Sequence, residues 1–177
     1  MPPPARASYN LAELPGDSDC PLAFVVMQKV GVKLVHPAAI PPRRMTAGSA
    51  GFDLYAVESV KIPPTRCEPD GRAEVGRNLV STGIVVELPQ GTVGRIASRS
   101  GLSVKANVEV GAGWIDSDFR GTLMVELKNF GSDPYQVRQG DRIAQLVILP
   151  VVDADTDVVA DTDQTSRGGS GFGSTGD

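Results

Sequence analysis

The sequence predicts an all-β fold, a barrel or double-sheet jelly roll. Three observations carry that prediction. Strand-like segments recur every eight to twelve residues from Leu79 onward. No long segment repeats its apolar residues with the 3.6 period of a helix. Glycine (20) and proline (14) both exceed average usage in 177 residues, which suits many turns between short strands. Hydrophobic residues make up 41% and charged residues 21%, so the chain is globular and long enough to bury a real core.

Taken in order, residues 1–22 read as a flexible leader. Ala23 to Val30 and Val32 to Val35 are the first strand candidates. Pro37, Pro41 and Pro42 then punctuate the chain, and Arg43-Arg44 leads into AGSAGFDLYA (Ala47 to Ala56). Pro63 to Arg77 is polar, with mixed charges, and reads as a long surface loop. LVSTGIVVEL (Leu79 to Leu88) is β-branched and closes at Pro89-Gln90-Gly91; TVGRIAS (Thr92 to Ser98) follows. KANVEV (Lys105 to Val110) alternates into the tight turn Gly111-Ala112-Gly113. TLMVELKNF places Leu123, Val125 and Leu127 on one face and Met124, Glu126 and Lys128 on the other. After the turn Gly131 to Pro134, RIAQLVILPVV (Arg142 to Val152) is a near-continuous apolar run, as in a strand buried on both faces. The barrel domain therefore spans 23–152. Residues 153–177 turn acidic and then glycine-rich, and read as a flexible C-terminal arm. Such an arm can reach a neighbouring subunit at up to roughly 3.3 Å per residue.

The totals narrow the function. A net charge of −4 does not suit a nucleic-acid coat protein. Cys20 and Cys67 match no metal or redox spacing and read as free thiols in a reducing compartment, so an intracellular location, cytoplasmic or nuclear, is expected. His36 is the sole histidine and precedes a proline, which disfavours histidine-dependent nucleophilic catalysis. No apolar run reaches membrane-span length, and no signal or transit peptide is evident at the N-terminus. GFGSTG fits a dinucleotide fingerprint in letters alone, because only Asp177 follows it. DADTDVVADTDQ resembles a calcium loop but has Val158 where glycine is needed and Gln164 where glutamate is needed. No Walker-type phosphate loop appears.

Three stretches carry chemistry. IDSDFRG (Ile115 to Gly121) sets two aspartates, an aromatic and an arginine beside a glycine hairpin; an exposed turn would have much the same composition. SRSGLSVK (Ser98 to Lys105) offers Arg99, Ser100 and Gly101, a set able to aim N–H groups and a hydroxyl at phosphate, or simply a turn out of a strand. GDRIAQLVI puts Gln145 inside an apolar run, where an unpaired amide would cost a few kcal/mol, so it needs a partner in the core or on a ligand.

Together AGFDLYA, SRSGLSVK, GAGWIDSDFRG, GDRIAQL and RGGSGFGSTG resemble the five motifs of the trimeric dUTP pyrophosphatases, the dUTPases, in family order from Val32 to Gly176. The resemblance implies a jelly-roll-like β-barrel, a homotrimer with active sites shared between subunits, and Mg²⁺-dependent hydrolysis of dUTP to dUMP and pyrophosphate. It implies that Asp116 activates the water attacking the α-phosphorus. Val110, Gly113, Trp114 and Ile115 on the hairpin would read uracil, with Met124 beside them. Phe119 would pack under deoxyribose and exclude a 2′-hydroxyl. Arg99, Ser100, Gly101 and Gln145 would hold phosphates, and Arg167, Phe172 and Gly173 on the arm would close over the γ-phosphate and base. Mg²⁺ would be held by triphosphate and waters, with Asp53 supporting metal-bound water or subunit packing.

Three departures from the family pattern stand out. Phe119 replaces a usual tyrosine, Trp114 a smaller aliphatic residue, and Ser98 a common proline, which is expected to loosen its turn. The Pro63 to Arg77 loop is also longer than usual. Two alternatives remain at this level: a deaminase of the same fold acting on dCTP through Glu109, and a catalytically modified regulatory or partner-binding module.

Overall fold

The computed structural model describes residues 28–165 and 168–169. Thirteen strands and one short helix lie among them. In chain order they are β1 (Gly31–Leu34), β2 (Phe52–Tyr55), β3 (Val60–Ile62), β4 (Arg66–Cys67), β5 (Ala73–Glu74), β6 (Gly76–Ser81), β7 (Ile84–Glu87), β8 (Thr92–Ala97), α1 (Ser100–Ala106), β9 (Val108–Val110), β10 (Trp114–Ile115), β11 (Met124–Asn129), β12 (Tyr135–Val137) and β13 (Arg142–Pro150). Every strand pair is antiparallel. The largest sheet runs β10-β8-β13-β2, a second runs β6-β11-β9, and β1-β7 and β12-β3 form two-stranded ladders around them. This is a jelly-roll-like β fold, as the strand spacing predicts.

Alternation places the core. Leu123, Val125 and Leu127 are buried, while Met124 on the opposite face of β11 is exposed. They meet Leu54, Ile62, Ile143 and Leu146 in one continuous apolar cluster. Each such side chain contributes roughly 1.5–3 kcal/mol by leaving water. The buried polar residues are paired. Thr82 donates its hydroxyl to the Leu123 carbonyl at 2.7 Å, and Asn129 donates to the Asp133 carbonyl at 2.8 Å.

Several sequence expectations change. Of the strand expected over Ala23 to Val30, residues 23–27 lie outside the described residues and 28–30 are not extended into a strand. Leu79 to Leu88 is two strands, because the chain turns at Thr82-Gly83, where Gly83 takes φ 63°. The Pro63 to Arg77 loop carries the β4–β5 hairpin, closed by Glu68 N–H to the Arg72 carbonyl at 2.8 Å, and then enters β6. The turn expected over Ser98 to Lys105 contains helix α1, and β9 starts only at Val108. Asn107 ends the helix in the left-handed region (φ 52°), a conformation asparagine tolerates better than most residues. β13 is buried chiefly through Ile143, Ala144 and Leu146, and its end at Leu149–Pro150 is exposed.

Candidate active site

Asp116 stands on the turn that leaves β10. The turn is built from its own backbone: Phe119 N–H donates to the Asp116 carbonyl at 3.1 Å. Arg120 then folds back and donates from Nη1 to the carbonyls of Ser117 (2.8 Å) and Phe119 (2.9 Å). Arg120 thus clamps the loop that presents Asp116, a role its charge alone did not signal. Phe119 folds back over Gly121, where a Cβ would come within 2.5 Å of the ring. The Asp116 carboxylate is exposed and makes no hydrogen bond or ion pair among the described residues, so both oxygens are open to water and ligand. Asp116, Trp114, Ile115, Phe119 and Met124 line one cavity of about 250 Å³, with Thr122 and Leu123 behind them.

The hairpin before β10 has a defined polar inventory. Val110 N–H donates to Ser98 Oγ at 2.8 Å, Gly111 N–H to the Glu126 carbonyl at 2.9 Å, and Ala112 N–H to Glu126 Oε2 at 2.9 Å. The Gly113 carbonyl accepts Ile96 N–H at 2.7 Å. The Gly113 N–H and the Gly111 and Ala112 carbonyls make no hydrogen bond among the described residues. The Gly111 and Ala112 carbonyls are therefore acceptors at the tip, and the Gly113 N–H is a buried donor behind them. Trp114 is exposed, and the Arg95 guanidinium lies 5.1 Å from its ring centroid, close enough for a cation–π contact.

A second cluster forms around helix α1. Arg99 caps the helix in an extended conformation, with no side-chain cap bond, and Ser100 and Gly101 are exposed in the first turn. Asp53 is buried, and its carboxylate lies 3.4 Å from Arg99 Nε and 3.1 Å from Arg142 Nη1. Arg99 also donates to the Arg142 carbonyl at 2.9 Å. Of the two roles expected for Asp53, the geometry adds a third: it orients two guanidiniums. Gln145 finds the partner its burial demands, since Nε2 donates to the Ser98 carbonyl at 3.0 Å.

Ser98 Oγ accepts the Val110 N–H and so ties β9 to the SRSG segment, a bond proline could not make. The hydroxyl of Ser103 donates to Glu109, and this bond first, then one from Ser98, holds the Glu109 carboxyl below the usual glutamate range. A folded pKa below the unfolded one contributes stability above the unfolded value, and that contribution is lost as pH falls through the folded value. Thermal melts from about pH 7 to about pH 3 should therefore show a smaller acid-side loss for Glu109→Gln than for the parent chain. Equal acid-side losses would remove this role for Glu109.

The Asp116 cavity and the Asp53–Arg99–Arg142 cluster are not brought together: none of Arg99, Ser100, Gly101 or Gln145 lines that cavity. Arg167, Phe172 and Gly173 lie outside the described residues.

A family model described as dUTPase matches residues 37–176. The chain belongs to the dUTPase family. A deoxyuridine 5′-triphosphate nucleotidohydrolase of Paramecium bursaria Chlorella virus 1 is 45% identical over 150 residues, covering 85% of this chain and 99% of that protein. Among solved structures, a variant Staphylococcus bacteriophage 80alpha dUTPase with dUpNHpp superposes with a TM-score of 0.73 at 27% identity, covering 84% of this chain and 98% of that one. A variant dUTPase of the S. aureus phage phi11, described with a coordinated structural Mg(II) ion, superposes at 0.67 and 25% identity over 77% of this chain and 100% of that one. This dUTPase is accordingly a hydrolase that converts dUTP to dUMP.

Proposed function

We propose that Asp116 is the general base of this dUTPase, taking a proton from the water that attacks the α-phosphorus, with pyrophosphate leaving. The observation that carries this is the unpaired carboxylate in one cavity with Phe119 and the end of the hairpin. A positioned carboxylate at such a place supplies typically about 10²–10⁴-fold. The Gly113 N–H suits one carbonyl oxygen of uracil, and a main-chain carbonyl of Gly111 or Ala112 suits its N3–H. Val110 and Ile115 frame the hairpin, with Trp114 and Met124 at its rim. Phe119 fills the space a 2′-hydroxyl would need.

Arg99, Ser100, Gly101 and Gln145 are proposed to hold the triphosphate. Their separation from the Asp116 cavity supports a homotrimer in which one subunit lends its α1 cluster to another subunit's hairpin. Arg167, Phe172 and Gly173 on the arm, residues 153–177, would complete the site from the far side. No group of three or more metal-ligating side chains occurs among the described residues, and Asp53 is already engaged by two arginines. That donor set fits a Mg²⁺ ion carried by the triphosphate and its waters, as magnesium commonly is. When bound, the ion neutralises charge on the departing pyrophosphate.

Pyrophosphate release measured across dUTP, dCTP, dTTP and UTP tests the proposal. Turnover of dUTP should exceed each competitor by roughly 10²-fold or more, because a wrong base or sugar leaves buried polar groups unpaired or clashes with Phe119. Ammonia release from dCTP, or equal turnover of UTP, would overturn it.

A further inference from the structure

We propose that Glu126 is a specificity-determining positioning residue, which sets the donor and acceptor polarity of the hairpin tip and so selects uracil over cytosine. The inference deepens the assignment of base reading to that hairpin and rests on it.

Glu126 lies on β11 one step beyond the Leu127↔Val110 pair, at the mouth of the hairpin loop. It grips the loop twice, through its main-chain carbonyl to Gly111 N–H and through Oε2 to Ala112 N–H, both at 2.9 Å. The carboxylate is pressed close: a Cβ on residue 111 would fall 2.0 Å from Oε2. A hydrogen bond to a charged acceptor is roughly twice as strong as a neutral one.

The consequence follows from peptide geometry. The Gly111 C=O and the Ala112 N–H belong to one planar trans peptide and point to opposite sides. Holding the Ala112 N–H toward Glu126 therefore turns the Gly111 C=O away from it, as an acceptor. Glycine at 111 otherwise lets this peptide rotate at low cost. Rotated, the same peptide would present a donor in place of the acceptor. Uracil carries N3–H, a donor that needs an acceptor opposite it. Cytosine carries an unprotonated N3, which needs a donor. The Glu126 side chain thus fixes the orientation that suits uracil.

The test uses the full chain and steady-state turnover of dUTP and dCTP. Glu126→Ala should lower the dUTP:dCTP ratio of kcat/KM by roughly tenfold or more, mainly through KM for dUTP. Glu126→Gln keeps an acceptor oxygen and should restore most of that ratio. Hydrogen exchange at the Ala112 amide should quicken in Glu126→Ala and stay slow in Glu126→Gln. Gly113→Ala separates the two levels of the reading, because its Cβ would sit 2.5 Å from the Ile96 carbonyl oxygen and displace the hairpin. If Gly113→Ala lowers the ratio and Glu126→Ala does not, the Glu126 role is overturned and base reading by the hairpin stands. If neither changes it, base reading by the hairpin fails as well. Equal losses in the Ala and Gln variants would overturn the hydrogen-bond assignment.

Discussion

Asp116→Asn is expected to lower the rate of pyrophosphate release by roughly 10²–10⁴-fold while leaving substrate affinity near that of the parent chain. Asparagine keeps the size and polarity of the side chain but cannot accept the proton of the attacking water. Binding should survive because no part of the cavity depends on this carboxylate: Arg120, not Asp116, clamps the loop through the Ser117 and Phe119 carbonyls. Folding should survive too, since the side chain is exposed and has no protein partner among the described residues, where substitutions usually change stability by no more than about 0.5 kcal/mol. Single-turnover release and equilibrium binding of dUpNHpp, a compound solved with a phage relative, separate the two effects. Unchanged release would assign the proton to another group.

Asp53→Ala should act on stability and phosphate binding together. It removes the carboxylate that, among the described residues, pairs with both Arg99 and Arg142, and leaves the two guanidiniums opposed. Breaking a fully buried pair costs about 3–5 kcal/mol. Here the Arg99 side chain is 23% exposed and that of Arg142 is 40% exposed, so water screens part of the loss. A cost of about 2 kcal/mol, and a fall in Tm of roughly 4–8 °C, is the expected result. Arg99 would retain only its bond to the Arg142 carbonyl, so KM for dUTP should rise as well. Asp53→Asn, which keeps an acceptor but not the charge, should fall between the two. A Tm and KM both equal to the parent's would mean that the network does not order the cluster.

The fold was legible where one face of a strand is buried. At and just before β11 the alternation of Leu123, Val125 and Leu127 is dictated by the core, and it reads directly from the letters. Helix α1 was not legible. It is seven residues long, has no buried side chain and no side-chain cap, so it carries neither an apolar period nor a start signal. The β4–β5 hairpin escaped for a related reason: its strands are two residues each, and both are exposed. In the site, motif order pointed to Asp116 and Phe119, which the fold brings into one cavity. Glu126, Ser98 and Arg120 act through backbone groups that approach only after folding. In the sequence, Glu126 is simply the polar side of an alternating strand. The signal that exposes it is a carboxylate lying over Gly111, where any larger residue would collide with it.

The placement of β13 bears on how the enzyme is made. This strand sits inside the four-stranded sheet, yet it follows both of its neighbours, β2 and β8, in the chain. Its Arg142 meets Asp53 across a sequence separation of 89. On a translating ribosome, β2 and β8 must therefore emerge with open edges and wait for the strand that joins them. Such edges are templates for pairing with other chains. Folds dominated by distant pairings close on the order of milliseconds to seconds, slowly beside helical domains. The arginine cluster is consequently a late product of folding, finished only when β13 slots between strands made long before it.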